Sequence, residues 1–505
     1  TLTVSGAISS AGGADLIISA DVLGGKVVLS GNSNTYTGST QIVRGLLQLG
    51  ATNTLPTGTT LNIHSAVGVA DAASVDLNGF NQQVGGLLRG NNSGPATLTN
   101  ASATASMLTI SNTANFTYDS PITGNLSLVK SGTGTQALTG TSTYTGTTSV
   151  NGGVLSANSS SALGDGSATN TLILNGGSLL AGGAITSPST RGVSLTANST
   201  VDTAANAVSI AGVVSGSSGL TKSGTGTLTL SGANTYTGNT VVNAGTLALS
   251  STSQMAFTIG ANGVNTSISG TGTVTLDGTF NLSLAGADIT TGNSWTLVNA
   301  STLTESFTTN FNIPGFTQVA DVWTMVDGTK TWTFTESTGV LSLTVSSGAY
   351  STWASDKGLT AGVNDGKDQD PDLDGRTNAM EFAFDGDPLS AANDGKVSSK
   401  IASVGGDNVL TLTVPVRSSA TFSNDAITNE EVSAVIDTLV YRIQGSSNLS
   451  AWTRDVSEVT ATGDLTAIQA GLPTLSSGWT YRTFRAPGNV ATDAKDFLRA
   501  VIQPQ

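Results

Sequence analysis

Short runs in which apolar and polar residues alternate make up the first part of the chain, and turns rich in Gly, Asn and Ser separate them. Leu228 and Leu230 alternate with Thr, for example, and a turn leads to the next run at Val241. A period of two bounded by such turns predicts β-strands. Thr and Val dominate these positions, and their branched side chains suit a pleated surface. We therefore expect an all-β fold.

One segment of this kind recurs. It reads KSGTGTLTLSGANTYTGNTVVNAGTLAL at 222–249, KSGTGTQALTGTSTYTGTTSVNGGVL at 130–155 and KVVLSGNSNTYTGSTQIVRGLL at 26–47. In each copy a tyrosine (Tyr36, Tyr144, Tyr236) stands nine residues before a glycine (Gly45, Gly153, Gly245), so the three tyrosines are expected to be equivalent. The Gly that soon follows each tyrosine is expected to allow a tight corner, and a β-branched residue there would be costly if the φ angle were positive. One copy has too little apolar area to fold alone, which predicts a stacked β-solenoid.

The string GTGTLTLSGANTYTGNTVVNAGTL resembles the autotransporter-associated β-strand repeat, which is found in passenger regions of large secreted bacterial proteins. Weaker copies, such as Ser267 to Leu284, lie between and after the three clear ones. The resemblance implies a right-handed parallel β-helix. At about 20 to 25 residues per rung, the chain to about residue 346 would give about 14 to 17 rungs, stacked about 4.8 Å apart.

Aromatic residues become frequent between Ser267 and Ser346. They include Trp295, Phe307, Phe311, Phe316, Trp323, Trp332 and Phe334. A solenoid end must cover its open core, so we interpret this stretch as closing rungs and a cap, with a hairpin over 331–335 and 340–345. An aromatic platform for sugars is the alternative.

An acidic stretch follows, and within it DPDLDGRTNAME at 370–381 fits the calcium-loop pattern D-x-D-x-D-G-x5-E. Carboxylates at alternate positions can converge on one hard cation, and the Gly permits a sharp turn. We expect Ca²⁺ to bind here. The expected ligands are Asp370, Asp372, Asp374, the carbonyl of Arg376, Asn378 directly or through water, and Glu381.

Thr377 replaces the aliphatic residue usual at the eighth loop position, which argues against pairing with a second loop. Short helices are expected at 351–358 and 378–384, flanking the loop. A merely solvated acidic linker is the alternative. We expect the site to fix the angle between two modules.

Longer strands follow from about Val397 and are predicted at 409–414, 439–445, 456–462, 479–485 and 496–502. Their alternation and number predict an antiparallel β-sandwich. The segments WASDKGL, DPDLDGRTNAMEFAFDGDP, YRIQGSSNLSAW and KDFLRAVI resemble the C-terminal module of many large bacterial exoproteins, which implies a surface or sorting-associated β-domain without catalytic residues. We divide the chain into a β-helix (1–346, with closing rungs from about 267), a calcium-binding junction (347–395) and a sandwich (396–505).

Composition narrows the function further. The net charge of -14 argues against nucleic-acid binding, which needs clustered Lys and Arg. The chain has no Cys and no apolar run long enough for a transmembrane helix. It opens at Thr1 directly in a strand-like segment, from which we expect a mature secreted form at the bacterial cell surface. His64, the single histidine, has no partner motif for catalysis or metal binding.

We therefore predict a non-enzymatic structural or adhesive extracellular protein, a subunit of a surface fibre or layer. Head-to-tail homopolymers would form through Thr1 to Ile8 and the C-terminal region of a neighbour, since the first strand has no cap. A polysaccharide-active β-helix enzyme and an adhesin that binds surface glycans are the alternatives. The enzyme would need clustered carboxylates, whereas the acids of the first part are scattered (Asp71, Asp76, Asp202, Asp277, Asp288).

Overall fold

A computed structural model describes the chain except for residues 11, 21–23, 65–71, 91–93, 302, 304–306, 347, 362, 393–395, 493–494 and 505. The chain forms two compact units, Thr1–Val345 and Ser346–Gln505. The segments predicted as calcium junction and sandwich both belong to the second unit.

The first unit is built almost entirely of short strands, as the alternation predicts. In chain order they are β1 Leu2–Val4, β2 Leu16–Ser19, β3 Lys26–Leu29, β4 Thr40–Leu49, β5 Thr60–Ile63, β6 Ala73–Asp76, β7 Gln82–Val84, β8 Gly86–Leu88, β9 Ala96–Asn100, β10 Ser106–Ile110, β11 Phe116–Tyr118, β12 Ile122–Gly124, β13 Leu126–Lys130, β14 Thr135–Leu138, β15 Thr148–Val150, β16 Val154–Ala157, β17 Leu172–Asn175, β18 Ser178–Ala181, β19 Ile185–Ser187, β20 Val193–Ala197, β21 Ser199–Asp202, β22 Val208–Ile210, β23 Val214–Gly216, β24 Leu220–Ser223, β25 Thr227–Leu230, β26 Thr240–Val242, β27 Thr246–Leu249, β28 Gln254–Thr258, β29 Ile268–Ser269, β30 Thr273–Leu276, β31 Thr279–Ser283, β32 Ser294–Thr296, β33 Val298–Asn299, β34 Thr317–Val319, β35 Val322–Asp327, β36 Lys330–Thr335 and β37 Val340–Val345. A 3-10 turn, Ser160–Leu163, lies among them between β16 and β17.

Parallel pairing between successive turns of the chain makes this unit a β-solenoid. The longest sheets run β1-β3-β4-β6-β9-β12 along one wall and β11-β14-β16-β18-β21-β24-β26-β29-β33 along another. Inward residues stack in columns, such as Leu228 on Leu247 and Leu247 on Val274, and these three side chains are buried. The columns merge into one continuous apolar core. This confirms the predicted all-β solenoid.

The solenoid has about 12 turns, fewer than the 14 to 17 expected. Two physical causes account for the difference. Some turns contain more residues than the assumed 20 to 25, since Leu247 pairs with Val274 of the next turn. The last part of the unit also leaves the parallel pattern, because β32-β37-β36-β35-β34 form an antiparallel sheet.

The repeated tyrosines occupy equivalent positions, as predicted. Tyr36, Tyr144 and Tyr236 are buried, and each hydroxyl lies 2.6 Å from the hydroxyl of the Thr four residues later. The tight corner predicted at the following glycine does not depend on a positive φ. Gly238 has no positive φ, but a Cβ there would lie 2.2 Å from the backbone of Ser218 in the preceding turn. Close approach of two backbones, not backbone twist, therefore requires the glycine.

The aromatic stretch closes the solenoid. The predicted hairpin is confirmed as β36 paired with β37. Trp295, Trp332 and Phe334 are at most 2% exposed and join the core. Ring centroids of Phe307 and Phe311 lie 4.6 Å apart. The rings therefore pack on one another inside the unit instead of forming an open sugar-binding platform.

The second unit contains two antiparallel sheets. Its elements are α1 Ala349–Asp356, α2 Asn378–Ala383, β38 Ser398–Val404, β39 Asp407–Arg417, β40 Phe422–Asp425, β41 Glu430–Ser433, β42 Leu439–Ser446, β43 Ser457–Glu458, α3 Thr462–Gln469, β44 Trp479–Asn489 and β45 Phe497–Pro504. The sheets run β38-β39-β44-β43 and β40-β41-β42-β45. Val414, Tyr441 and Phe484 from both sheets share one core with Trp353 and Phe382 of the first two helices, which supports the predicted sandwich.

Most of the strands predicted for this unit are present, but the strand expected at 456–462 is wrong. Only Ser457–Glu458 pairs, and α3 begins at Thr462. Leu465 and Ile468, three residues apart, pack in a small core with Val459, a spacing that suits a helix. Within the described residues, no helix is long and apolar enough to cross a membrane.

Candidate metal centre

The acidic loop 370–381 comes after α1 and includes the first turn of α2, the two short helices expected on its sides. α1 ends at Asp356, so the loop does not follow it directly as it would in an EF-hand. α2 begins at Asn378 and carries Glu381 in its first turn. The loop is therefore anchored by the helix that follows it.

Asp370, Asp372 and Asp374 converge, as the spacing predicts. One carboxylate oxygen from each lies within 4.8 Å of the others. Burial and the neighbouring carboxylates of Asp374 and Asp370 raise the pKa of Asp372 above its ordinary value. Three acidic groups held this close repel one another unless a cation or protons offset their charge.

Backbone amides of the loop hold the three side chains in place. Gly375 N donates to Asp370 Oδ2 at 2.9 Å, Asp374 N to Asp372 Oδ1 at 3.2 Å, and Arg376 N to Asp374 Oδ1 at 2.8 Å. Gly375 has φ +91°, the sharp turn expected from the motif. The second oxygens, Asp370 Oδ1 and Asp372 Oδ2, are buried and have no hydrogen-bond partner among the described residues. Buried oxygens without a donor are what a hard cation would satisfy.

Glu381 is not a member of the three-carboxylate group, although the loop pattern assigns it a bidentate role. Its side chain is 3% exposed. Burial raises the pKa of its carboxyl to about 7, and the charges of Asp372 and Asp374 add to the effect. The carboxyl is thus near enough to these two groups to respond to their charge.

Asn378 and Arg376 complete the predicted ligand set. The Asn378 amide nitrogen donates to the carbonyls of Asn364 and Gly366 at 2.9 and 2.8 Å. Its Oδ1 is buried and has no partner among the described residues. The Arg376 guanidinium lies 4.0 Å from Asp374. Asn378 therefore has one acceptor to spare and a fixed orientation.

The scattered acids of the solenoid accept hydrogen bonds within one turn or from a neighbouring turn. Asp76 accepts hydrogen bonds from Gln48, Asn78 and Ala101. Asp277 accepts from Thr308 and Asn310, and Asp202 and Asp288 each bind a backbone amide two residues on. Asp71 lies outside the described residues. Each of these four described acids therefore has a structural hydrogen-bonding role.

Sequence reasoning missed two buried lysines. Lys130 and Lys222 are fully buried in the solenoid. The Lys222 ammonium donates to the carbonyls of Ser223, Gly224 and Ala244 at 2.9, 2.7 and 2.9 Å. Burial lowers the pKa of Lys130 to about 8 and that of Lys222 as well. The shared string KSGTGT, which opens these two copies but not the first, was the available signal.

Comparison with known proteins agrees with the repeat architecture. The model of the passenger-associated-transport-repeat matches residues 24–49, 128–157 and 220–249. The chain is 33% identical over 266 residues to the Adhesin BmaC autotransporter of Brucella suis biovar 1 (strain 1330). The match covers 48% of this chain but spans only 7% of that adhesin.

No solved structure matches the chain. The three matched repeats coincide with the three copies found in the sequence, and each contains one of the buried tyrosines. The first unit is thus a β-solenoid that contains three segments matching the passenger-associated-transport-repeat, as its sequence resemblance implied.

Proposed function

We propose that the chain is part of an extracellular, non-enzymatic adhesive passenger at the bacterial cell surface. The observation that carries this proposal is the coincidence of passenger-type repeats with 33% identity to an autotransporter adhesin across 48% of the chain. The solenoid supports it physically, because a stack of short turns presents an extended surface held by a continuous core. Hydrogen bonds hold the four described acids Asp76, Asp202, Asp277 and Asp288 in structural roles, which favours adhesion over polysaccharide cleavage.

Beads coated with the purified chain test this proposal. They should bind mammalian cells or immobilised matrix glycoproteins more strongly than beads coated with albumin. Adhesion no greater than that of the albumin beads, over a range of coating densities, would reject the adhesive function. Release of reducing ends or unsaturated products from soluble polysaccharides would instead favour an enzyme.

We further propose that the acidic loop binds Ca²⁺ through Asp370, Asp372, Asp374, the Arg376 carbonyl and Glu381, with Asn378 or water completing the shell. The unpartnered oxygens of Asp370 and Asp372 support this proposal. The all-oxygen donor set suits a hard cation. Extracellular sites of this kind have Kd values of about 0.1 to 1 mM, so millimolar Ca²⁺ would stabilise the fold by only about 1 kcal/mol.

Calorimetric titration with CaCl₂ tests the site on the full chain. Asp374→Ala should abolish the binding heat, because it removes one of three converging carboxylates. Asp368→Ala, in the same acidic stretch but outside the motif, is the matched control and should leave it nearly unchanged. If both variants weakened Ca²⁺ binding equally, the segment would be a diffusely acidic linker. In that case EDTA would leave the protease sensitivity of residues 351–395 unchanged.

Head-to-tail association remains a second proposal. β1 pairs with β3 on one side, and Leu2 is 60% exposed. The other edge of β1 has no strand partner among the described residues, so it can accept a strand from another chain or from residues that precede Thr1 in a longer protein. Deleting Thr1 to Ser10 should abolish polymers while leaving the solenoid folded. A chain that sediments as a monomer at every concentration would contradict association.

A further inference from the structure

The second unit contains a cleft apart from the acidic loop. It has a volume of about 610 Å³, within the range of small-ligand sites. Its lining includes Thr352, Trp353 and Asp356 of α1, Lys357 directly after that helix, Arg417 at the end of β39, Ser476 and Ser477 before β44, and Trp479 at the start of β44. Two indoles, three hydroxyls, a carboxylate, an ammonium and a guanidinium therefore surround one space.

The aromatic part of the cleft is rigid. Phe382 of α2 stands between the two indoles, with its centroid 5.5 Å from that of Trp353 and 5.8 Å from that of Trp479. Trp479 Nε1 donates to the carbonyl of Phe382 at 3.0 Å. The Arg417 guanidinium lies 4.1 Å from the centroid of Trp479 and is held by Asp437 at 2.6 Å. A ligand would therefore meet a preformed wall, which lowers the entropy lost on binding.

One buried donor on this wall is unused. Trp353 is 5% exposed, and its indole Nε1 has no hydrogen-bond partner among the described residues. A buried indole N–H normally finds an acceptor, because leaving it unpaired destabilises the fold. This nitrogen is itself shielded from solvent, so a ligand oxygen would reach it only after a shift of the Trp353 side chain.

The polar rim is also built into the fold. The fully buried Asp385 accepts a hydrogen bond from Ser476 N at 2.8 Å and pairs with Lys396. This contact fixes the turn that carries the exposed hydroxyls of Ser476 and Ser477. Asp356 is exposed on the α1 side. Charge is nearly balanced, since Asp437 neutralises Arg417 and Asp387 lies 4.0 Å from Lys357.

We propose that this cleft binds a saccharide unit. A sugar ring is amphipathic, so its C–H face packs against the half-buried Trp479 and the Arg417 guanidinium stacked on it, while its hydroxyls bond to the charged groups and hydroxyls of the rim. The balanced charge disfavours a phosphate or a strongly anionic ligand, and the polar rim disfavours an apolar chain. The cleft does not depend on the adhesive solenoid or on Ca²⁺ binding, so each of these three proposals can be contradicted without affecting the others.

Saturation-transfer NMR on the full chain tests the cleft. The probes are methyl glycosides of glucose, galactose, mannose and N-acetylglucosamine, with a Gly-Leu-Gly peptide for comparison. At least one glycoside should receive saturation. Ser477→Arg should weaken its binding by about tenfold or more, because an exposed Ser becomes a long side chain that fills the mouth.

Two further variants keep this test sharp. Ser450→Arg makes the same change in an exposed turn outside the cleft and should leave binding unchanged. Asp356→Ala removes an exposed acceptor without touching the core and should weaken binding by about tenfold. No glycoside signal, a signal from the peptide alone, or equal binding by Ser477→Arg and Ser450→Arg would overturn the proposal.

Discussion

At the scale of single residues, the repeat is held by polar contacts inside an apolar core. Tyr144 and Tyr236 are buried, and each hydroxyl bonds a Thr hydroxyl at 2.6 Å. Burial raises the pKa of both tyrosines above the ordinary value and that of Tyr36 to about 12. The position of the tyrosines was predictable from their spacing. Their partner was also readable in YTGxT, where the Thr always stands four residues later.

The tyrosines predict a loss of stability at alkaline pH. Because the folded pKa lies above the unfolded value of about 10, their contribution is complete below about pH 10 and falls as pH rises through the folded pKa. Phenolate absorbance and circular dichroism should therefore change together in an alkaline titration. Ionisation of these tyrosines near pH 10 with the strand signal intact would contradict their burial.

The buried lysines give a second prediction at this scale. Lys222→Met leaves three carbonyls without their donor and should lower the free energy of unfolding by about 1–3 kcal/mol. Lys26→Met, at a half-buried position of the first repeat, is the control and should have little effect. The measurement is the urea midpoint of each variant. Equal urea midpoints for Lys222→Met and Lys26→Met would show that the contacts of Lys222 with the three carbonyls do not stabilise the fold. Composition could not predict this site, since lysine is normally assigned to the surface.

At the scale of elements, the solenoid depends on how closely successive turns approach. The alternating pattern predicted strands, but the tight spacing at corners depends on contacts between residues of different turns. The backbone of Ser218 against Gly238 is one such contact. Contacts between residues distant in sequence also decide the packing of α2. The motif predicted this helix, but not that Phe382 would pack between two tryptophans.

Substitution of the corner glycine tests this packing. Gly238→Ala places a methyl 2.2 Å from a backbone carbon and should destabilise the solenoid by about 1–3 kcal/mol or more. Gly58→Ala is the matched control, because a Cβ at Gly58 meets nothing within 4 Å and its φ is not positive. Thermal unfolding followed by circular dichroism separates the two. A melting temperature for Gly238→Ala as high as that for Gly58→Ala would contradict the close approach.

At the scale of the whole molecule, the repeated pattern made the solenoid fold predictable from the sequence. Copies of one pattern cannot bury their apolar faces singly, so stacking follows from the sequence. The number of turns was overestimated in part because the last segment changes to antiparallel pairing. The aromatic residues predicted a cap in this segment but not the change in strand direction. The acidic loop was predicted from spacing alone. The cleft was not, because its residues come from segments as distant as Trp353 and Trp479.

The central claim is that the folded chain adheres to surfaces outside the bacterium. Competition with soluble protein measures it most directly. Beads coated with the chain are allowed to bind target cells in the presence of increasing free chain, either native or denatured before addition. If the folded chain adheres, native chain should displace the beads in a saturable manner and denatured chain should not. Displacement by neither, or equal displacement by both, would contradict an adhesive role of the folded chain.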